Sequence, residues 1–81
     1  METQFTLKDL REQAGLSCLD MANRLGVTVQ SINRYENGRR RLPLEFIEPF
    51  ARCLNESIED VVLAAVATLK LSEALKLSSP D

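Results

Sequence analysis

Apolar residues recur along this chain at intervals of three and four, and the stretches that carry the rhythm are bracketed by helix start and stop signals. One start signal occurs four times: Phe5-Thr6-x-x-Asp9-Leu10, Leu16-Ser17-x-x-Asp20-Met21, Val27-Thr28-x-x-Ser31-Ile32 and Ser57-x-x-Asp60-Val61. In each, a Ser or Thr oxygen can accept the amide three residues ahead, which has no partner inside the helix. In the first three, the flanking apolar pair can clasp the first turn. An Asp at the third helical position also suits the positive helix end. Stops follow at Gly15, Gly26, Gly38 and Asn55, residues that tolerate a left-handed backbone. The spacing predicts helices over 7–14, 18–24, 29–36, 44–54 and 58–77, joined by very short turns. No run alternates with period two in the manner of a strand, so the expected fold class is all-α.

The same periodicity assigns faces. Leu7, Leu10 and Ala14 are expected to line the core side of the first helix, and Met21, Ala22 and Leu25 that of the second. Ile32 and Tyr35 share one side of the third helix, and Phe46, Ile47, Phe50, Ala51 and Leu54 stripe the fourth. Pro43 fits at the start of the fourth helix, whereas Pro49 lies further in and is expected to weaken or bend its first turn. In the last helix Ile58, Val61, Val62, Ala65 and Leu69 are expected to face the core. Leu63, Ala67, Leu71 and Ala74 form a second stripe roughly opposite, with Leu75 nearby. A helix apolar on two sides in so small a domain calls for a second surface, and a homodimer through that stripe is expected. Ser78 to Asp81, with Pro80, reads as a frayed tail.

Composition then narrows the class. Eighty-one residues suffice for one domain, 1–81, without room for a deep catalytic cleft. Two Cys and no His exclude most zinc sites and every scheme that needs an imidazole. No metal or cofactor is expected, and no catalytic constellation can be named, so an enzyme is the least favoured class. Two Cys are also too few for a disulfide-stapled secreted scaffold. The longest uncharged apolar run, Val61 to Leu69, is too short to cross a bilayer, and the amino terminus lacks a signal-peptide pattern. A cytoplasmic binding module with no membrane partner is expected.

The net charge of −2 hides a segregation. Residues 22–42 carry five Arg (Arg24, Arg34, Arg39, Arg40 and Arg41) against one Glu, while both flanks are acidic. A basic middle gives an anionic partner one side to approach. Within this segment two short helices meet at Leu25-Gly26-Val27, and a turn with a central Gly forces the sharp angle of a helix-turn-helix. Ala22 must be small because the next helix crosses over it, and Val27 and Ile32 close the apolar seam. The second of these helices presents Val29, Gln30, Asn33 and Arg34 outward. Arg suits guanine, Gln or Asn suits adenine, and Val suits a thymine methyl, so these are candidate readers of base edges.

The spaced set Leu10-Arg11, Gly15-Leu16-Ser17, Met21-Ala22, Leu25-Gly26-Val27, Ser31-Ile32, Arg34-Tyr35-Glu36-Asn37-Gly38, Ala51, Leu54 and Ser57-Ile58 resembles the helix-turn-helix domain of phage Cro and phage repressors, the XRE-like family. Tyr35-Glu36-Asn37-Gly38 is its most distinctive piece. The resemblance implies a compact five-helix, lambda-repressor-like DNA-binding domain. The family-like core spans 6–61, the helix-turn-helix 17–37, and the extended C-terminal helix 58–77 is the expected dimerisation element. It implies an ion pair between Arg11 and Glu36, and phosphate contacts from Ser17, Thr28 and Asn37, with Arg39, Arg40 and Arg41 following in the loop. Two departures stand out. Cys18 replaces a common phosphate-clamping Gln, and Asn55 stands where Gly is common. Cys18 is read as an inert small residue in preference to a redox sensor, and Cys53 as a packing residue.

The expectation is therefore a sequence-specific double-stranded DNA-binding transcriptional regulator, a repressor acting as a dimer. Two alternatives share the fold: an antitoxin that binds both DNA and a toxin protein, and a protein-interaction module that has lost DNA binding. Gln30, Asn33, Arg34 and three consecutive Arg weigh against the last, which has no use for that polar set.

Overall fold

Four of the five helices begin at a hydroxyl that accepts an amide three residues ahead. In the computed structural model, which describes residues 5–78 with side chains through Leu75, these are Thr6, Ser17, Thr28 and Ser57. Thr6 and Ser17 form reciprocal capping boxes, because the Asp9 and Asp20 carboxylates accept the cap residues' own amides. The resulting elements are α1 (Leu7–Gln13), α2 (Cys18–Leu25), α3 (Val29–Glu36), α4 (Leu44–Leu54) and α5 (Ile58–Ser78). α4 starts at Pro43 without a side-chain cap and runs uninterrupted through Pro49. Among the described residues there is no strand, and no helix is long and apolar enough to cross a membrane. Ser78 belongs to α5, and the rest of the expected tail lies outside the described residues.

The helices close on a single core. Phe50, Met21, Ile32 and Val61 are its largest fully buried side chains, each worth about 1.5–3 kcal/mol of transfer free energy. Tyr35 joins α3 to α4 through an edge-on contact with Phe50 and a tilted one with Phe46, with both ring centroids 6.4 Å away. Ala14 departs from expectation. It caps α1 in an exposed position and lines an open groove with Leu16, Arg24 and Leu54, because no element covers the end of its helix.

α5 differs more. Its buried line is Val61, Ala64 and Thr68, with Ala67 also buried and Ala65, Leu69 and Ser72 half-buried. Ile58 and Val62, expected to face the core, are exposed, and Ala67, expected in the outward stripe, is turned into the domain. Leu63, Leu71, Ala74 and Leu75 are exposed. The buried side of α5 holds small side chains, so α1 and the loop after α3 approach it closely. Thr68 is the one buried polar residue among those described. Its hydroxyl accepts the Leu7 amide at 3.0 Å and donates to the Ala64 carbonyl at 2.8 Å, so the first orphan donor of α1 is satisfied from the far end of the chain.

A second polar link orients α3. The Arg11 guanidinium donates from Nε and Nη2 to the two oxygens of Glu36, at 2.6 and 3.1 Å, and from Nη1 to the Leu16 carbonyl at 2.9 Å. Both side chains are largely buried, at 11% and 5% exposure. A bidentate pair fixes angle as well as distance.

Two outcomes follow for stability. Glu36→Ala strands the Arg11 charge and is expected to lower unfolding free energy by about 3 kcal/mol in urea titration, whereas replacing both partners with Met and Leu loses less; strictly additive single losses would contradict this. Asp20 supplies a pH test. Its carboxyl is held below the usual value, first by the Ser17 amide and then by the Ser17 hydroxyl. The stabilising form is the ionised one, so its contribution is present above the unfolded carboxylate's pKa and is lost as pH falls through the lower folded value. Asp20→Asn keeps an acceptor for the amide and is expected to flatten the acid side of the stability–pH curve, measured by denaturation across the carboxylate range.

Candidate nucleic-acid interface

The turn between α2 and α3 is set by Gly26, whose φ of 71° and ψ of 31° place it in the left-handed region that a residue with a Cβ adopts at a penalty. The Val27 amide then reaches back to the Ala22 carbonyl at 3.0 Å, closing the end of α2. Ala22 is buried and Ile32 fully so, with Leu25 and Val27 half-buried beside them, which seats α3 across α2. This is the geometry that exposes one face of α3 while anchoring the other.

That outer face carries Gln30, Asn33, Arg34 and, one turn later, Asn37, all exposed and spaced at three and four residues. Val29 does not join them fully, because it is half-buried and packs against the core. Asn37 caps α3, and the loop turns back on the helix. The Arg39 and Arg40 amides both donate to the Arg34 carbonyl, at 3.0 and 3.3 Å. The three consecutive arginines are exposed in this loop, directly after α3 in the chain. Ser17 and Thr28 are exposed at the starts of α2 and α3, where their hydroxyl oxygens already accept the Asp20 and Ser31 amides.

Charge reinforces the arrangement. Glu36 is the only acidic residue between positions 22 and 42, and Arg11 neutralises it. The Glu36 hydrogen bond raises the Arg11 pKa against the opposing effect of burial, so the guanidinium stays charged. The exposed surface of this segment therefore offers cations without competing carboxylates, a field suited to an anion.

One contact was not legible beforehand. The Cys18 thiol donates to Asn33 Oδ1 at 3.4 Å, linking the start of α2 to the outer face of α3. Asn33 thus meets a partner with its carbonyl oxygen already accepting. The two residues are fifteen positions apart on different helices, and no pattern in the chain announces the pairing. Cys53 is half-buried against the core, and among the described residues no group of His, Cys, Asp or Glu is arranged to hold a metal.

Residues 5–64 match the helix-turn-helix domain family. The chain is 38% identical over 74 residues, 90% of its length, to 22% of a protein of Pyrococcus abyssi provisionally named as an HTH-type transcriptional regulatory protein. It is 33% identical over 75 residues, 93% of its length, to 27% of a protein of Pyrobaculum aerophilum named in the same way. The chain spans about a quarter of the length of these curated relatives. No solved structure matches it. The packing of α3 on α2 across the Gly26 turn and the match over 5–64 lead to one conclusion: the chain belongs to the helix-turn-helix domain family, of the XRE-like kind.

Proposed function

We propose that the chain is a sequence-specific double-stranded DNA-binding regulator of transcription, a dimeric repressor working in the cytoplasm, and that its role is binding rather than turnover. One observation carries the reading: exposed amide and guanidinium side chains on α3 are followed at once by three exposed arginines in a loop whose backbone bonds back to the Arg34 carbonyl, with the acid of that segment neutralised. The provisional names of the two relatives point the same way. In this reading α3 enters the major groove. Gln30 and Arg34 are the principal base readers, with Val29 and Asn33 secondary. Asn37, Arg39, Arg40 and Arg41, together with the helix starts at Ser17 and Thr28, hold the phosphate backbone. The exposed Leu63, Leu71, Ala74 and Leu75 form the dimer surface, without the buried Ala67. Two copies so joined would present their α3 helices to half-sites one DNA turn apart, roughly 34 Å.

Selection from a randomised duplex pool at stated salt supplies the site and tests the reading. An inverted repeat is expected, and absence of any enriched sequence would remove sequence-specific binding. On the selected site, Arg34→Ala is expected to lose about 1–3 kcal/mol of discrimination, whereas Arg39→Ala weakens all duplexes alike and lowers the salt slope by about one per subunit. Equal losses on every duplex from Arg34→Ala would contradict its base-reading role. For assembly, Leu71→Lys is expected to shift the protein to monomer in sedimentation, and a variant that stays dimeric would rule out this surface.

A further inference from the structure

The family match ends at residue 64, yet α5 continues to Ser78, and two residues beyond that limit touch the elements that carry the interface. Gly38 lies against them. A Cβ at Gly38 would stand 2.5 Å from Ser72 Cβ, 2.9 Å from Ser72 Oγ and 3.2 Å from the Thr68 carbonyl oxygen. The bare backbone of Gly38 therefore rests directly on one turn of α5, and its φ of 72° fits the same choice of residue.

This turn of α5 is itself held in place. Thr68 is buried, accepts the Leu7 amide and donates to the Ala64 carbonyl, which ties it to the start of α1. On the other side, Gly38 donates to the Tyr35 carbonyl at 3.3 Å, and Arg39 and Arg40 donate to that of Arg34. The loop that begins the arginine run is thus fixed between the last turn of α3 and the Thr68–Ser72 turn of α5.

We infer that the Thr68–Ser72 turn of α5 is a positioning element for the Arg39–Arg41 loop, holding these arginines in register with the outer face of α3. The inference rests on the DNA-binding reading above and adds to it a role for the part of α5 beyond the family match. A loop ordered before it meets DNA does not lose that freedom on binding, so its phosphate contacts form with less entropic opposition. Ser72 acts here through Gly38 and contacts no nucleic acid.

The test uses Ser72→Leu in the full chain, which adds bulk at the contact with the Gly38 backbone. In the free protein, hydrogen exchange at the Arg39 and Arg40 amides is expected to accelerate at least ~10-fold while Ile32 stays protected. On the selected duplex the salt slope should fall with base preference unchanged. Unchanged exchange at Arg39 and Arg40 overturns the inference, as does faster exchange with an unaltered salt slope. If Ser72→Leu fails to fold, Gly38→Ala decides: it should disturb the loop less in a Ser72→Gly background than beside Ser72, and equal effects in both overturn the contact. Wild-type protein that binds no DNA would overturn the DNA-binding reading and the functional half of this inference, whereas exchange, read without DNA, judges the brace alone.

Discussion

The Arg11 guanidinium meets three acceptors on two other parts of the chain, and the placement of α3 depends on it. Its planar fork engages both oxygens of Glu36 at the end of α3 and the Leu16 carbonyl ahead of α2. A flexible ammonium could neutralise Glu36 without fixing its angle, whereas a bidentate guanidinium does both. Because the pair is largely buried, its partners cannot exchange for water without leaving a charge unsolvated. The same contact removes the only carboxylate from the arginine-rich segment, so one interaction sets the pose of α3 and the sign of the surface around it.

Where α5 meets α1 and the loop after α3 the constraint is steric. α5 offers α1 and the loop after α3 an edge of Ala64, Thr68 and Ser72, and small side chains there allow backbone to come close. Thr68 converts proximity into a hydrogen bond at the start of α1, and Gly38 accepts it by carrying no side chain. α3 is thereby gripped at its C-terminal end from two directions, by Arg11 and by α5 through the loop. Rigid placement of a few polar side chains suits recognition of a regular polymer, where an error of an ångström disconnects a donor from its acceptor.

Helix positions were readable because their signals are local. A hydroxyl three residues before an amide, and Gly or Asn at a left-handed stop, act within one turn, so Thr6, Ser17, Thr28 and Ser57 and the stops at Gly26, Gly38 and Asn55 mark boundaries without reference to the rest of the chain. Gln30, Asn33 and Arg34 were readable for a related reason. Once α3 is placed by Ile32 and Tyr35, the 3.6-residue period puts those three on the other side.

What the chain alone determined is therefore the set of helices, their caps, the helix-turn-helix and the outer face of α3. The tertiary structure decided the rest. α5 is apolar around most of its circumference, so periodicity could not choose its buried side; side-chain size and the Thr68 hydrogen bond chose it, turning Ala67 inward and Ile58 and Val62 outward. Ala14 and Val29 changed environment because burial depends on which neighbour covers a residue, not on its own hydrophobicity. The Cys18–Asn33 bond, the Leu7–Thr68 bond and the seat of Gly38 on Ser72 join residues far apart in the chain. Such contacts exist only once packing has fixed the distances, and no local rule encodes them.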